Sequence, residues 1–377
     1  MLILAAVLSI FVYGMIAAML GTLLPDLSAR FQLTPKQNGT VAFCQAIGLM
    51  AASLGVGPLL DNEGKKVGLL LGLGLATLAL LLLPKARGFS SIATHLLVLG
   101  LGGGIIVTAA NALGSDVDPT HRATALNLIN LFFGLGGFAT PFIAAHLLKN
   151  DAPRLCYMVA AATFAALAVV AFAPIPQPTG QQSFAFSEIG GLLSQPTLWL
   201  LALMLFLYVA SEVGVWNWLV QHLIAQGIPE AKALNVLSLG FALGLLAGRV
   251  GVARVLVSVP DLTVVLAASI AMAILTYAML RTRSPALAWI LVFLAGVSMA
   301  PVFPTVLAII ADHFPHGTGT AIGLGITFGW VGLAVSSRVI GAIAGGDNHR
   351  LKRALLVLPA MAILLVCVNL VLRSALR

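Results

Sequence analysis

Charge is what this sequence has least of. Of its 377 residues only 8% are Asp, Glu, Lys or Arg, while 60% are hydrophobic. A soluble domain carries about 25% charged residues, so this chain cannot clothe itself in water. Cysteine is scarce too. Cys44, Cys156 and Cys367 fall inside apolar runs, without the spacing of a disulfide framework or a metal site, and no metal or cofactor is expected. The formal charge of +8 does not mark a nucleic-acid partner, because the 20 basic residues are scattered over many loops instead of clustering. Alternating hydrophobicity is also missing, which excludes a transmembrane β-barrel.

What the chain has is long apolar runs. A bilayer is spanned by roughly 20 residues of helix, and in hydrocarbon a helix satisfies its own backbone. The expected fold is an all-α membrane protein embedded in the lipid bilayer. Twelve spans are predicted near 2–24, 37–60, 67–84, 91–113, 123–147, 154–173, 197–220, 233–250, 261–280, 286–311, 319–343 and 354–372. Residues 1–24 lack a basic leader and exceed a signal-peptide core, so they read as the first span; a short segment ahead of them is expected. Residues 174–196, PIPQPTGQQSFAFSEIGGLLSQP, read as a cytoplasmic linker. They separate an N-terminal six-helix half (1–173) from a C-terminal six-helix half (197–377).

The halves look related. A shift of 196 residues pairs Gly100 with Gly296, Asp116 with Asp312, Thr124-Ala125 with Thr320-Ala321, Phe132 with Phe328 and Gly136 with Gly332, without a gap. Two parallel repeats of six helices are expected to hold a substrate near the midplane between them.

After the second span comes GPLLDNEGKKVG, with Gly57, Asp61, Gly64, Lys65 and Lys66. After the eighth comes GLLAGRVGVAR, with Gly248, Arg249 and Arg254. These stretches resemble the loop signature of major facilitator transporters, except that Asn62 follows Asp61 where the family has a basic residue. The resemblance implies a cytoplasmic gate built on Gly57, Asp61, Gly64, Lys65, Lys66, Gly248 and Arg249. The bland alternative is a pair of loops that keep charges outside the membrane. Two further stretches are TAAN (Thr108–Asn111), followed by RATALNLINLFFGLGG, and YVASEVGVWNWLVQHL. With FPTVLAII of the tenth span they resemble the fucose–proton symporter family. That family has an acid just before the TAAN, where Val107 stands here. It has another four residues before the proline of the first span, where Gly21 stands.

Charge scarcity makes the remaining acids informative. Of twelve, eleven fall in loops or at predicted span ends, and only Glu212 lies deep in a span. Intramembrane carboxylates are costly and are usually functional. Glu212 is therefore the candidate for proton coupling, with Asp26 a distant second. Tyr208, Glu212 and Trp216 share one helix face at spacing i, i+4, i+8. An acid among aromatics suits a sugar, and the neighbouring Asn217 joins the set. Equally, Trp216 and Trp218 could be interfacial aromatics. Asn111, Asn130, Asn127 and Gln45 either join helices or touch ligand; Asn130 is read as the ligand contact and Asn127 as the joint. Pro301 and Pro304 are expected to break the tenth span. Arg338 is the one basic residue predicted deep in a span, so it is expected either to pair with Glu212 or to share its ligand.

The family topology places both termini and the gate loops in the cytoplasm. It leaves seven basic residues on that side and twelve on the other, against the positive-inside rule. The expected protein is a monomeric carrier in a bacterial inner (plasma) membrane. It moves a sugar-like solute by alternating access, as a uniporter or with protons. Rival readings are a proton-driven exporter of amphipathic compounds, an intramembrane enzyme, for which no aspartate pair is available, and a sugar sensor.

Overall fold

The structure, a computed structural model, describes all residues except 149–150, 177–188, 283, 345–347 and 377. Most of the predicted linker thus lies outside the described residues. Among those described there is no strand, and twelve helices are long and apolar enough to cross a membrane. Six belong to the first sequence half: α1 (Leu2–Phe31), α2 (Pro35–Glu63), α3 (Lys65–Leu82), α4 (Phe89–Ser115), α5 (Arg122–His146) and α6 (Ala152–Phe172). The second half carries α7 (Pro196–Ala225), α8 (Val236–Val255), α9 (Asp261–Arg281), α10 (Ala286–His313), α11 (Thr318–Ala344) and α12 (Val357–Ala375).

Several boundaries follow from local chemistry. Thr34 and Gln37 form a reciprocal capping box at the start of α2, with Pro35 at the first helical position. Asp151 and Ser284 cap the next helix by accepting from Arg154 N and Leu287 N. Gly64 joins α2 to α3 at φ 92, a left-handed conformation that favours glycine.

Three helices add to the sequence expectation. The first candidate span is Leu2–Leu24, as predicted, but its helix α1 does not stop at Pro25 and continues to Phe31, carrying the half-buried Asp26. The α8 span runs on to Val255, past its expected end at 250, and its first seven residues, Val236–Ala242, are π-helical. In α10 the break falls at Ala300 and Pro301, between Pro285–Met299 and Val302–His313. Pro304 sits in the first turn of the resumed helix, where a missing N–H costs little.

The structure divides into two compact units. One contains Met1–Pro119, Ile129–Leu192 and Ala311–Thr327; the other contains Thr120–Leu128, Leu193–Ile310 and Phe328–Arg377. In the first, α4 packs on α2, α3 and α1, and α6 packs on α3 and α1. In the second, α10 packs on α8 and α9, and α12 packs on α9 and α7. Four of the five pairings of the first unit thus recur in the second, displaced by six helices.

Glycines enforce the pairings. In a membrane, helix association depends on close packing, because lipid is as apolar as leucine. A methyl added to Gly48 would strike the Leu97 carbonyl, and one on Gly100 the Gln45 carbonyl. A methyl on Gly244 would strike the Phe293 carbonyl, and one on Gly296 the Phe241 carbonyl. Each residue of the second set lies 196 positions after its counterpart in the first. At the next level the identities exchange. A methyl on Gly104 would lie 2.9 Å from the Ala52 Cβ, and one on Gly248 would lie 2.6 Å from the Ala300 Cβ. The repeat preserves the space for one methyl and swaps the helix that supplies it.

Candidate functional site

Within the second unit, α7 carries the carboxylate singled out by the sequence. Glu212 is half-buried, while Tyr208 one turn before it is completely buried. Trp216 one turn after it is 36% exposed and packs edge-on against Phe241 at 5.2 Å. Phe241 stands in the π-helical opening of α8. The Asn217 amide is exposed and donates to Ser337 Oγ on α11 at 3.2 Å. The accessible members of the predicted α7 set are therefore Glu212, Trp216 and Asn217. Tyr208 is turned inward, toward the Phe303 ring of α10 at 6.4 Å. Trp218 packs against Gly341 on α11.

The expected Glu212–Arg338 pair does not form. Arg338 is exposed, and the two make no ion pair within 4.0 Å. Sequence reasoning missed the buried cation. Arg249 is 5% exposed and lies well inside α8, because that helix continues to Val255. Ending the span at 250 had put Arg249 at a helix end. Its charge and that of Glu212 both act on Tyr208.

In the first unit the predicted polar side chains face one another. Asn130 Nδ2 donates to Asn111 Oδ1 at 2.8 Å, and Asn111 Nδ2 donates to the Val107 carbonyl at 2.8 Å. Both are buried, so in this state they join α5 to α4. Gln45 is buried on α2, and its Oε1 has no hydrogen-bond partner among the described residues. In the second unit Asn127 is a joint, as expected: its Nδ2 donates to Thr305 Oγ1 of α10 at 3.1 Å.

The predicted gate residues fall into two sets of contacts. Asp61 accepts from Gly319 N at 2.7 Å, Thr320 N at 2.9 Å and Thr320 Oγ1 at 2.7 Å. It thus caps the start of α11, where four backbone N–H groups otherwise lack partners and the helix dipole favours an anion. A methyl on Gly57 would strike Thr320, so only glycine admits this approach. Lys65 pairs with Asp116 at the end of α4, and Lys66 Nζ donates to the Ala173 carbonyl just beyond α6 at 3.0 Å. The counterpart of the Gly57–Thr320 contact lies in the second unit, where Thr124 Oγ1 donates to the Ala253 carbonyl at 3.1 Å. Both positions are shifted by 196, but the residue matching Asp61 is Val257, so this side has no charged cap.

Twelve candidate spans among the described residues, with glycine contacts that recur after 196 positions, define a helical multi-pass membrane protein. More narrowly, the chain belongs to the Major Facilitator Superfamily, whose sequence profile matches residues 6–337. A glucose/galactose transporter of Brucella abortus is 27% identical over 358 residues, covering 89% of this chain and 85% of the relative. The fold is shared with FucP, the fucose:proton symporter of E. coli, at TM-score 0.83 and 17% identity over 98% of this chain and 97% of that one. It is also shared with a human organic anion transporter, at TM-score 0.78 and 17% identity over 97% and 98%. The protein is a multi-pass integral membrane transporter of this superfamily.

Proposed function

We propose that this transporter carries a monosaccharide, in the class of glucose or galactose, by alternating access. In this reading Glu212 couples the cycle to protons, and the protein sits in a bacterial inner membrane as a monomer. The observation that carries the reading is the placement of Glu212. It is half-buried in mid-span, without an ion pair among the described residues, beside the accessible Trp216 and Asn217. A carboxylate accepts hydroxyl hydrogens while an indole face packs on the apolar side of a pyranose. Likeness to a glucose/galactose transporter over 89% of the chain supports the substrate class. Likeness to a fucose:proton symporter supports coupling, although Val107 and Gly21 replace the acids expected there.

The two sequence halves, 1–173 and 197–377, act as the moving bodies in this reading. The gate is the Asp61 cap on α11 together with the Lys65 and Lys66 contacts. Asn111, Asn130 and Gln45 are buried in the described state and reach the substrate only after helices shift. The test is sugar flux in liposomes holding purified protein. Counterflow of labelled glucose or galactose supports the reading; extrusion of amphipathic dyes without counterflow replaces it with the exporter. Glu212→Gln is expected to abolish uptake driven by a proton gradient and to retain counterflow. Uptake that survives the substitution unchanged removes Glu212 from the coupling role.

A further inference from the structure

Tyr208 is the unexplained polar group of the second unit. Its side chain has no exposure, and its hydroxyl has no hydrogen-bond partner among the described residues. An unsatisfied buried hydroxyl is destabilising, and phenylalanine would fill the same space without that cost. The ring itself is accounted for by packing against Phe303, immediately after the break in α10. The oxygen is not accounted for. Its surroundings supply a reason: Glu212 lies one turn along the same face, and the charges of Glu212 and Arg249 both act on the phenol.

We propose that Tyr208 is a positioning residue for Glu212: its hydroxyl donates to the carboxylate when Glu212 is ionised and is released when Glu212 takes up its proton. In the described geometry the Glu212 carboxylate lies within reach of the Tyr208 hydroxyl, and the two stop short of a hydrogen bond within 3.5 Å. No covalent bond changes, and the proton that moves is the one on Glu212. This inference rests on Glu212 as the coupling group, and it removes Tyr208 from direct contact with substrate, where the sequence had left it open. The charged and titratable groups around the pair are few. On α7 there is Glu212 itself. From α8 comes Arg249, which has a further partner of its own. Near Tyr208, α10 presents Phe303, which does not titrate. Arg338 on α11 is exposed and makes no ion pair with Glu212. On α12 the chain against α7 is apolar at Leu358, which meets Gly214 and whose carbonyl accepts from Ser211.

Tyr208→Phe tests this in the full-length protein, because it removes only the hydroxyl that faces Glu212 and keeps the ring. Three readouts are needed: sugar counterflow, proton-driven uptake across pH, and the infrared carboxyl band that disappears in Glu212→Gln. The expected result is counterflow with KM within about twofold of the parent and proton-driven uptake reduced about tenfold. The pH profile and the titration of the Glu212 band should move together to higher pH, because the ionised carboxylate has lost a donor. A Glu212 band and pH profile identical to those of the parent overturn the proposal. So does a large rise in counterflow KM with an unmoved band, which makes Tyr208 a substrate contact. If Glu212→Gln keeps proton-driven uptake, the coupling assignment falls. The infrared titration of Tyr208→Phe still decides whether the hydroxyl serves Glu212.

Discussion

Asp61 shows how much one residue can do in a chain with so few charges. Its carboxylate meets three donors at the first turn of α11, at 2.7, 2.9 and 2.7 Å. A charge at a partly buried helix N-terminus is worth up to ~2 kcal/mol. Asp61→Asn keeps the size and loses the charge. Its expected effect is a fall in maximal uptake of about tenfold, equivalent to ~1.4 kcal/mol, with KM nearly unchanged. Initial-rate uptake at several sugar concentrations measures both. A rise in KM with unchanged maximal rate would place Asp61 at the binding site instead. By contrast, Asp151 and Arg154 form an exposed pair at 3.1 Å, and removing it is expected to alter stability by less than about 1 kcal/mol.

At the scale of elements, the glycine contacts are the packing code. Ala52 faces Gly104 where α2 meets α4, and Gly248 faces Ala300 where α8 meets α10. Gly248→Ala places two methyls where there is room for one. It is expected to cost about 1–3 kcal/mol through overpacking. Adding Ala300→Gly recreates the arrangement that the first repeat already uses. The double variant is expected to recover the share of the loss due to the Ala300 methyl, the approach to the Val297 carbonyl remaining, and to give a coupling energy of at least about 0.5 kcal/mol in a double-mutant cycle. Thermal unfolding in detergent, followed by the loss of monodisperse protein, reads the effect. Simple additivity of the two changes would contradict the packing argument. The break in α10 lies in the same region. Pro301 supplies no N–H to the Val297 carbonyl, and that carbonyl lies 2.7 Å from where a methyl on Gly248 would stand. Glycine therefore keeps room beside a carbonyl to which Pro301 offers no N–H.

At the scale of the whole molecule, orientation is set against the count of basic residues. The family topology leaves seven on the cytoplasmic side and twelve outside. The segment around Glu63 is nevertheless expected in the cytoplasm, because the gate contacts of Asp61, Lys65 and Lys66 cluster there. Glu63→Cys, in a background lacking Cys44, Cys156 and Cys367, is expected to react with an impermeant thiol reagent only in inverted vesicles. Labelling in intact cells would reverse the topology and place the gate outside.

The sequence alone determined the spans, the twofold repeat and the isolation of Glu212. Each follows from a local fact: an apolar run long enough to cross hydrocarbon, a residue recurring at a fixed interval, or a charge with few others to compete. The expected ends of α1 and α8 were less secure, because a proline or a glycine-rich stretch is a weak stop signal when neighbouring helices hold the chain. Partners were not legible at all. Asp61 and Thr320 lie 259 positions apart, and no periodicity links a carboxylate to the helix it caps. Arg338 and Arg249 exchanged roles for the same reason: burial depends on what packs alongside, and only tertiary structure supplies the neighbours. The hydroxyl of Tyr208 belongs there too. A sequence shows that a tyrosine can donate, and only the packed helices show that it is buried with Glu212 within its reach.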